Sequence, residues 1–332
     1  MWNFSLGTSL TLLARTMPFL LLRCAVYFGV SMAYVVFAAV GSALGWSIGA
    51  LGDRDFQAAT TLWGGVAGLG ITAWGVFLLR EYLLYLVKAA HIAAMVQLLD
   101  GGELPGGKSQ IDHARSVVQH RFGQANVLFV MDQLVKGVIT VITGVVRGIS
   151  NVLPIPGITQ LAGLVRAFLR LAVGLVDEVI LAYAIRTDSH NPWQSARTAL
   201  VLYAQNAPGM LKNAAWLTAM MYALSLLVFV LFLAPAAALV YLLPGSWGAA
   251  AAVFALVFAW ALKASIMEPF AVACLLQAYF GAIEGQQPDP QWEARLDGLS
   301  GKFTQMKEKA ATWAGKSASP DQRPSASGAG SP

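Results

Sequence analysis

The run NAAWLTAMMYALSLLVFVLFLAPAAALVYLLPGSWGAAAAVFALVFAWAL, residues 213–262, holds no charged side chain in 50 positions. About 20 apolar residues in helix cross a hydrocarbon core about 30 Å thick. The run is therefore long enough for two spans. Leu243-Pro-Gly-Ser-Trp247 supplies the break between them, with Trp247 suited to the membrane–water interface. Two further runs have the same character: Cys24–Gly52 has no charge in 29 residues and Phe56–Leu79 none in 24.

Composition agrees with this. The hydrophobic fraction is 57%, the charged fraction 12% and the mean hydropathy +0.61; a soluble domain carries about 25% charged residues. The net charge of +5 is modest and spread out, so it reads as membrane orientation rather than nucleic-acid binding. Cys24 and Cys274 both lie in apolar text, which argues against a disulfide framework and a thiolate metal site. The first apolar stretch is too long for a cleaved signal peptide and reads as a retained span.

Extending outward, the sequence predicts an all-α polytopic membrane protein of about six helices in three hairpins. The spans are about 23–50, 61–87, 126–150, 157–186, 214–243 and 248–283, within a membrane domain 1–283. Residues 1–22 suit an interfacial helix or a plain extension of the first span. Arg80 and Lys88 follow the second span, while Gly52-Asp-Arg-Asp55 is not net basic. With Arg186, Arg197 and Lys212, the positive-inside rule places both termini in the cytoplasm of a multi-pass cell-membrane protein. Gly41, Gly45 and Gly49, with Gly64 and Gly68, give small-xxx-small spacing for close hairpin packing or for a homo-oligomer contact. Pro269 is placed to kink the last span, with Lys263 and Glu268 snorkelling to the cytoplasmic surface.

Residues 126–186 are the anomaly. They read as a hairpin about Asn151-Val-Leu-Pro-Ile-Pro-Gly157, yet Asp132 and Lys136 sit on one arm and Arg166, Arg170, Asp177 and Glu178 on the other. Counting from Pro154, Lys136 is 18 residues away and Arg170 16; Asp132 is 22 away and Asp177 23. That predicts a cationic layer and an acidic layer about 8 Å apart. Charge at membrane depth is costly, so three readings stand: a polar pathway, a self-satisfied ionic clamp, or interfacial helices whose charges meet water.

Residues 88–122 carry a loop and, from Ser109-Gln-Ile-Asp112, a capping-box start to an amphipathic helix. Gly102-Glu-Leu-Pro-Gly-Gly107-Lys108-Ser109 fits the phosphate-cradling GxxxxGK[ST] pattern. It follows a helical run rather than a strand, so it reads as a flexible loop. His91, His113 and His120 lack metal-site spacing. No nucleophile–base set is present, so the chain is not read as an enzyme, and no cofactor or metal is expected.

Asn191-Pro192 suits a helix start and Pro208-Gly209 a break. In the tail 284–316, Trp292, Leu296, Leu299, Phe303, Met306, Ala310 and Trp313 form a seam of period 3.5 flanked by Lys302, Lys307, Lys309 and Lys316. One amphipathic helix is expected, paired with another helix or, as the short seam and basic flanks favour, lying on the anionic inner leaflet. Residues 317–332 read as disordered.

Ser195-Ala-Arg-Thr-Ala199 with Gln205-Asn206, and Ala273-Cys274-Leu-Leu-Gln-Ala-Tyr-Phe-Gly-Ala-Ile-Glu284, resemble the C-terminal half of the choline-transporter-like family, over about residues 120–300. That family similarly has a polar Ser-Ala-Lys-Asn-Ala-type stretch before a long span and a late cysteine-containing helix ending in an acidic tail. The resemblance implies transport of a small polar or cationic solute. A quaternary ammonium would then need an aromatic cage, for which Trp216, Tyr222 and Trp260 are available. The other function in view is a non-transporting membrane scaffold or assembly protein, suggested by the small size, the glycine faces and the basic tail. The expected partners are the lipid bilayer, a small solute and a second copy of the chain, with no nucleic acid.

Overall fold

Helix α2, Met17–Gly49, and helix α3, Arg54–Leu79, run antiparallel with their backbones in direct contact. A Cβ added at Gly41 would strike the Gly64 carbonyl, one at Gly45 the Thr60 carbonyl, and one at Gly68 the Phe37 carbonyl. The small-residue spacing thus packs this pair, and any contact between copies through the same glycines would have to displace it. The outer faces carry Leu44, Trp46, Leu62, Trp63, Ile71 and Trp74, each more than half exposed.

The computed structural model describes residues 3–79, 85–122, 125–150, 177–187, 191–242, 257 and 259–317. These are all-helical, with 89% of residues in helix and no strand among the described residues. Among them, three helices are long and apolar enough to cross a membrane: Met17–Gly49, Ala207–Leu231 and Ala259–Ile283. They correspond to the expected spans 23–50, 214–243 and 248–283. The expected span 61–87 falls on α3 and the start of α4, Tyr85–Leu99, with residues 80–84 outside the described set. The turns 151–157 and 243–247, most of 157–186, and residues 318–332 also lie outside it.

A second body of structure packs at one end of these apolar helices. It comprises α1 (Leu6–Arg15), the first turns of α2, α4, α5 (Lys108–Phe122), α6 (Ala125–Ser150), α7 (177–186), α8 (Pro192–Gln205), the start of α9 (Ala207–Leu242), the later half of α10 (Ala259–Ile283), α11 (Pro290–Leu299) and α12 (Gly301–Ser317). Several are apolar all round because protein surrounds them: Ile92 to Val96 in α4, Val179 to Ala182 in α7 and Ala271 to Leu276 in α10 are all buried. Helix α6 differs. One face, Met131, Leu134, Val135, Val138, Ile139 and Ile142, is buried, while Gln133 and Thr140 are exposed. That is an amphipathic helix laid on the core. Segment 126–150, expected as a span, is not among the three helices named above, and of 157–186 only 177–186 is described.

Local signals account for the ends of these elements. Ser5 caps α1, and Asn191 caps α8 with Pro192 in its first turn. Chain 205–207 breaks at Asn206, so Pro208 falls in the first turn of α9, where a missing N–H costs least. Helix α5 starts at Lys108, one residue earlier than the capping-box reading. Ser109 does not act as its cap, because its Oγ donates to the Gly106 carbonyl. In α10, Lys263–Met267 forms a π turn that ends two residues before Pro269, a residue with no N–H to donate to the helix.

The tail departs from the leaflet expectation. It forms two helices separated at Ser300, and Leu296, Phe303, Met306 and Ala310 are buried against the protein itself. The seam is satisfied within the chain; Leu299 alone of its large aliphatics is exposed.

Candidate charge cluster

Four elements bring ionisable side chains together. On α6, one helical turn sets Asp132 and Lys136 on one face, and Lys136 Nζ stands 2.6 Å from Asp132 Oδ2. Lys136 also reaches Asp177 Oδ2 on α7, at 3.4 Å. The next residue, Glu178, accepts from Lys88 on α4, with Nζ to Oε1 3.0 Å. Lys88 Nζ lies 3.8 Å from Glu268 Oε2 on α10, and Glu268 Oε1 lies 4.0 Å from Lys263 Nζ. The π turn makes this last pair, because its wider winding swings residue i+5 back beneath residue i.

The result is two runs of alternating sign, Asp132–Lys136–Asp177 and Glu178–Lys88–Glu268–Lys263, which meet at the adjacent carboxylates of Asp177 and Glu178. Asp132, Asp177 and Glu178 are buried, while the Lys136 side chain is 44% exposed and opens one end to solvent. Of the expected cationic layer Lys136 is described, and it stands between Asp132 and Asp177 of the acidic one. Arg166 and Arg170 lie outside the described residues. Lys263 and Glu268, expected to snorkel, turn inward to the cluster instead. The Lys263 ammonium also sits 5.4 Å from the Tyr222 ring centre.

Lys88 and Arg23 escaped the sequence reading because each stands at the edge of an apolar run and resembles an orientation charge. Burial alone would lower the proton affinity of Lys88. The Glu178 and Glu268 carboxylates outweigh it and hold the ammonium above its usual range. Arg23 is 1% exposed, and its Nε and Nη1 have no hydrogen-bond partner. Glu178 Oε2 is likewise buried and unbonded.

His91 lies in the same region. Thr16 Oγ1 donates to the Leu12 carbonyl at 2.8 Å, so it accepts from His91 Nε2 at 2.9 Å. The ring is therefore the neutral Nε2–H tautomer, with Nδ1 buried and unbonded. It stacks on Phe19 at 5.0 Å. Burial first, then the Arg23 charge, pushes its pKa well below the ordinary value of 6.5.

The three candidate cage aromatics meet different neighbours. Trp216 and Tyr222 share α9 but point about 120° apart, while Trp260 packs edge-on against Tyr27 at 5.4 Å. Tyr222 already faces the Lys263 cation. The Gly102–Ser109 motif is the loop joining α4 to α5, with Gly107 at φ 63° turning the chain into the helix. The preceding element is a helix, so the strand that a phosphate loop follows is absent from this position.

A second buried cation fastens the tail. Arg197 on α8 is 2% exposed. Its Nη1 donates to the Phe303 carbonyl at 2.8 Å and to Asp297 Oδ1 at 3.2 Å. Its Nη2 donates to Glu293 Oε1 at 2.8 Å and to Asp297 Oδ2 at 3.2 Å. The guanidinium also lies over the Phe303 ring, 4.0 Å from its centre. Comparison with known proteins finds no matching family model, no similar curated protein and no similar solved structure.

Proposed function

We propose that this chain is a non-transporting membrane scaffold, in which the charge cluster is an internal clamp. In this reading the α2–α3 pair, the outer part of α9 and the start of α10 stand in the cell membrane. The helical body with α4–α8, α11 and α12 lies at the cytoplasmic face, with both termini on that side. The observation that supports it is the pairing within the cluster. Lys136 meets two carboxylates, Lys88 meets two more, and Glu268 meets a second lysine. Groups that close on one another hold helices in register; a conducting route needs them turned toward water or cargo.

Breaking one partner of a buried pair costs about 3–5 kcal/mol, whereas replacing both by apolar groups of similar volume is often neutral. A clamp therefore predicts that Lys88→Met melts well below wild type and that Lys88→Met with Glu178→Leu recovers most of the loss. Purified protein in sealed vesicles should pass no small amine. Saturable uptake abolished by Asp132→Asn would overturn the scaffold reading.

Transport of a small cationic solute is the second reading. It is favoured by the unbonded Arg23 nitrogens and Glu178 Oε2, which are polar valences inside the core that the clamp does not use. The choline-transporter-like resemblance makes choline the first solute to test in that vesicle assay.

A further inference from the structure

The geometry points to a binding site for one anionic glycerophospholipid of the inner leaflet, where the N-terminal segment meets α9. A groove of about 340 Å³ lies there, walled by Phe4 and Leu6 on one side and by Trp216, Ala219, Met220 and Ala223 on the other. Its volume falls at the lower end of the range of ordinary ligand pockets. The groove is built rather than accidental. Asn3 N donates to Asn213 Oδ1 and Ser5 N to Gln277 Oε1, both at 3.2 Å, so the segment before α1 is tied alongside α9 and α10.

The occupant follows from what surrounds the groove. One wall belongs to a helix long and apolar enough to cross a membrane. Leu6 and Leu10 of α1, and Trp216, Leu226 and Leu227 of α9, are exposed around and beyond it. An apolar groove continuous with such a surface takes a hydrocarbon chain. Its polar end is marked by Lys212, exposed and one turn before Trp216 on the same face of α9. Lys212, Trp216, Ala219 and Ala223 follow one another at helical spacing, as ammonium, interfacial ring and acyl-chain wall. The cation selects a headgroup with net negative charge, which the cytoplasmic leaflet supplies. The site rests on the membrane placement proposed above but not on the absence of transport.

The test is native mass spectrometry of the whole chain released from nanodiscs of equal phosphatidylglycerol and phosphatidylcholine. One phosphatidylglycerol should stay bound, with a preference of about fivefold, the worth of one lysine near the surface. Lys212→Gln should erase the preference while leaving a bound lipid of either kind. Ala219→Phe, which fills the groove from an exposed position, should release it, with the melting temperature confirming that the variant is folded. Retention of no lipid or of lipid without preference by wild type, a phosphatidylglycerol preference in Lys212→Gln undiminished from wild type, or undiminished retention in folded Ala219→Phe overturns the site. Solute uptake in the vesicle assay would remove the scaffold reading and leave this result standing.

Discussion

His91 shows how a single side chain sets a pH limit. Its neutral ring donates to Thr16 and stacks on Phe19, joining α4 to the start of α2. With its pKa depressed in the fold, the unfolded chain binds a proton that the native state refuses. Its stabilising contribution is thus complete above about pH 6.5 and is lost as pH falls below that value, at about 1.4 kcal/mol per pH unit. Melting in detergent at pH 7.5 and 5.5 should show this loss in wild type, and His91→Gln should show a smaller one. Arg197 is the opposite kind of buried group, a cation whose two terminal nitrogens each make two hydrogen bonds. Arg197→Lys should not replace it, because a point charge cannot hold the Phe303 carbonyl and two carboxylates together. Loss of about 3–5 kcal/mol is expected for Arg197→Met. The sensitive readout is protease cleavage within 285–300 at concentrations that leave wild type whole.

Among the elements, the α2–α3 pair is the least forgiving of added volume. Gly41→Val would push a side chain into the Gly64 carbonyl, and backbone cannot rotate aside as a side chain can. The cost should reach at least the upper end of the usual 1–3 kcal/mol for overpacking. A disulfide cross-link engineered between α2 and α3 on the far side of the contact should form readily in wild type and poorly in the variant. Gly29→Val, where an added Cβ meets nothing within 4 Å, is the control. The tail helices carry a related lesson. Their period of 3.5 was visible in the sequence, but periodicity defines a face and not the surface that covers it. Lys302 illustrates the point: its side chain lies across Gly137 of α6, where any Cβ would collide with it.

At the scale of the molecule, apolar arms and a charge-bearing body are joined where Arg23, Lys88, Lys263 and Glu268 stand near the ends of apolar runs. The proposed orientation predicts opposite labelling of two single cysteines in a background free of Cys24 and Cys274. Asp53→Cys, at the far tip of the α2–α3 pair, should react with an impermeant maleimide added outside intact cells. Thr312→Cys, on α12, should react only after the membrane is opened. Equal labelling of both before opening would place the body on the other side or deny that α2 crosses.

By itself the sequence determined the helical class, the apolar arms, the glycine contact and the caps at Asn191 and Pro192, because each depends on short-range chemistry or on the bare cost of charge in hydrocarbon. Asp132 and Lys136 were legible as a pair because four residues is one helical turn. It could not distinguish a helix wrapped in lipid from one wrapped in protein. Both are apolar all round, and residues 179–185 of α7 and the later half of α10 satisfy either description. Only the tertiary structure decided that protein surrounds them, that Lys88 meets Glu178 across 90 residues, and that the tail's apolar seam is covered by the chain's own core. Those outcomes turn on which surfaces meet, and that information is spread over the whole chain rather than held in any one stretch of it.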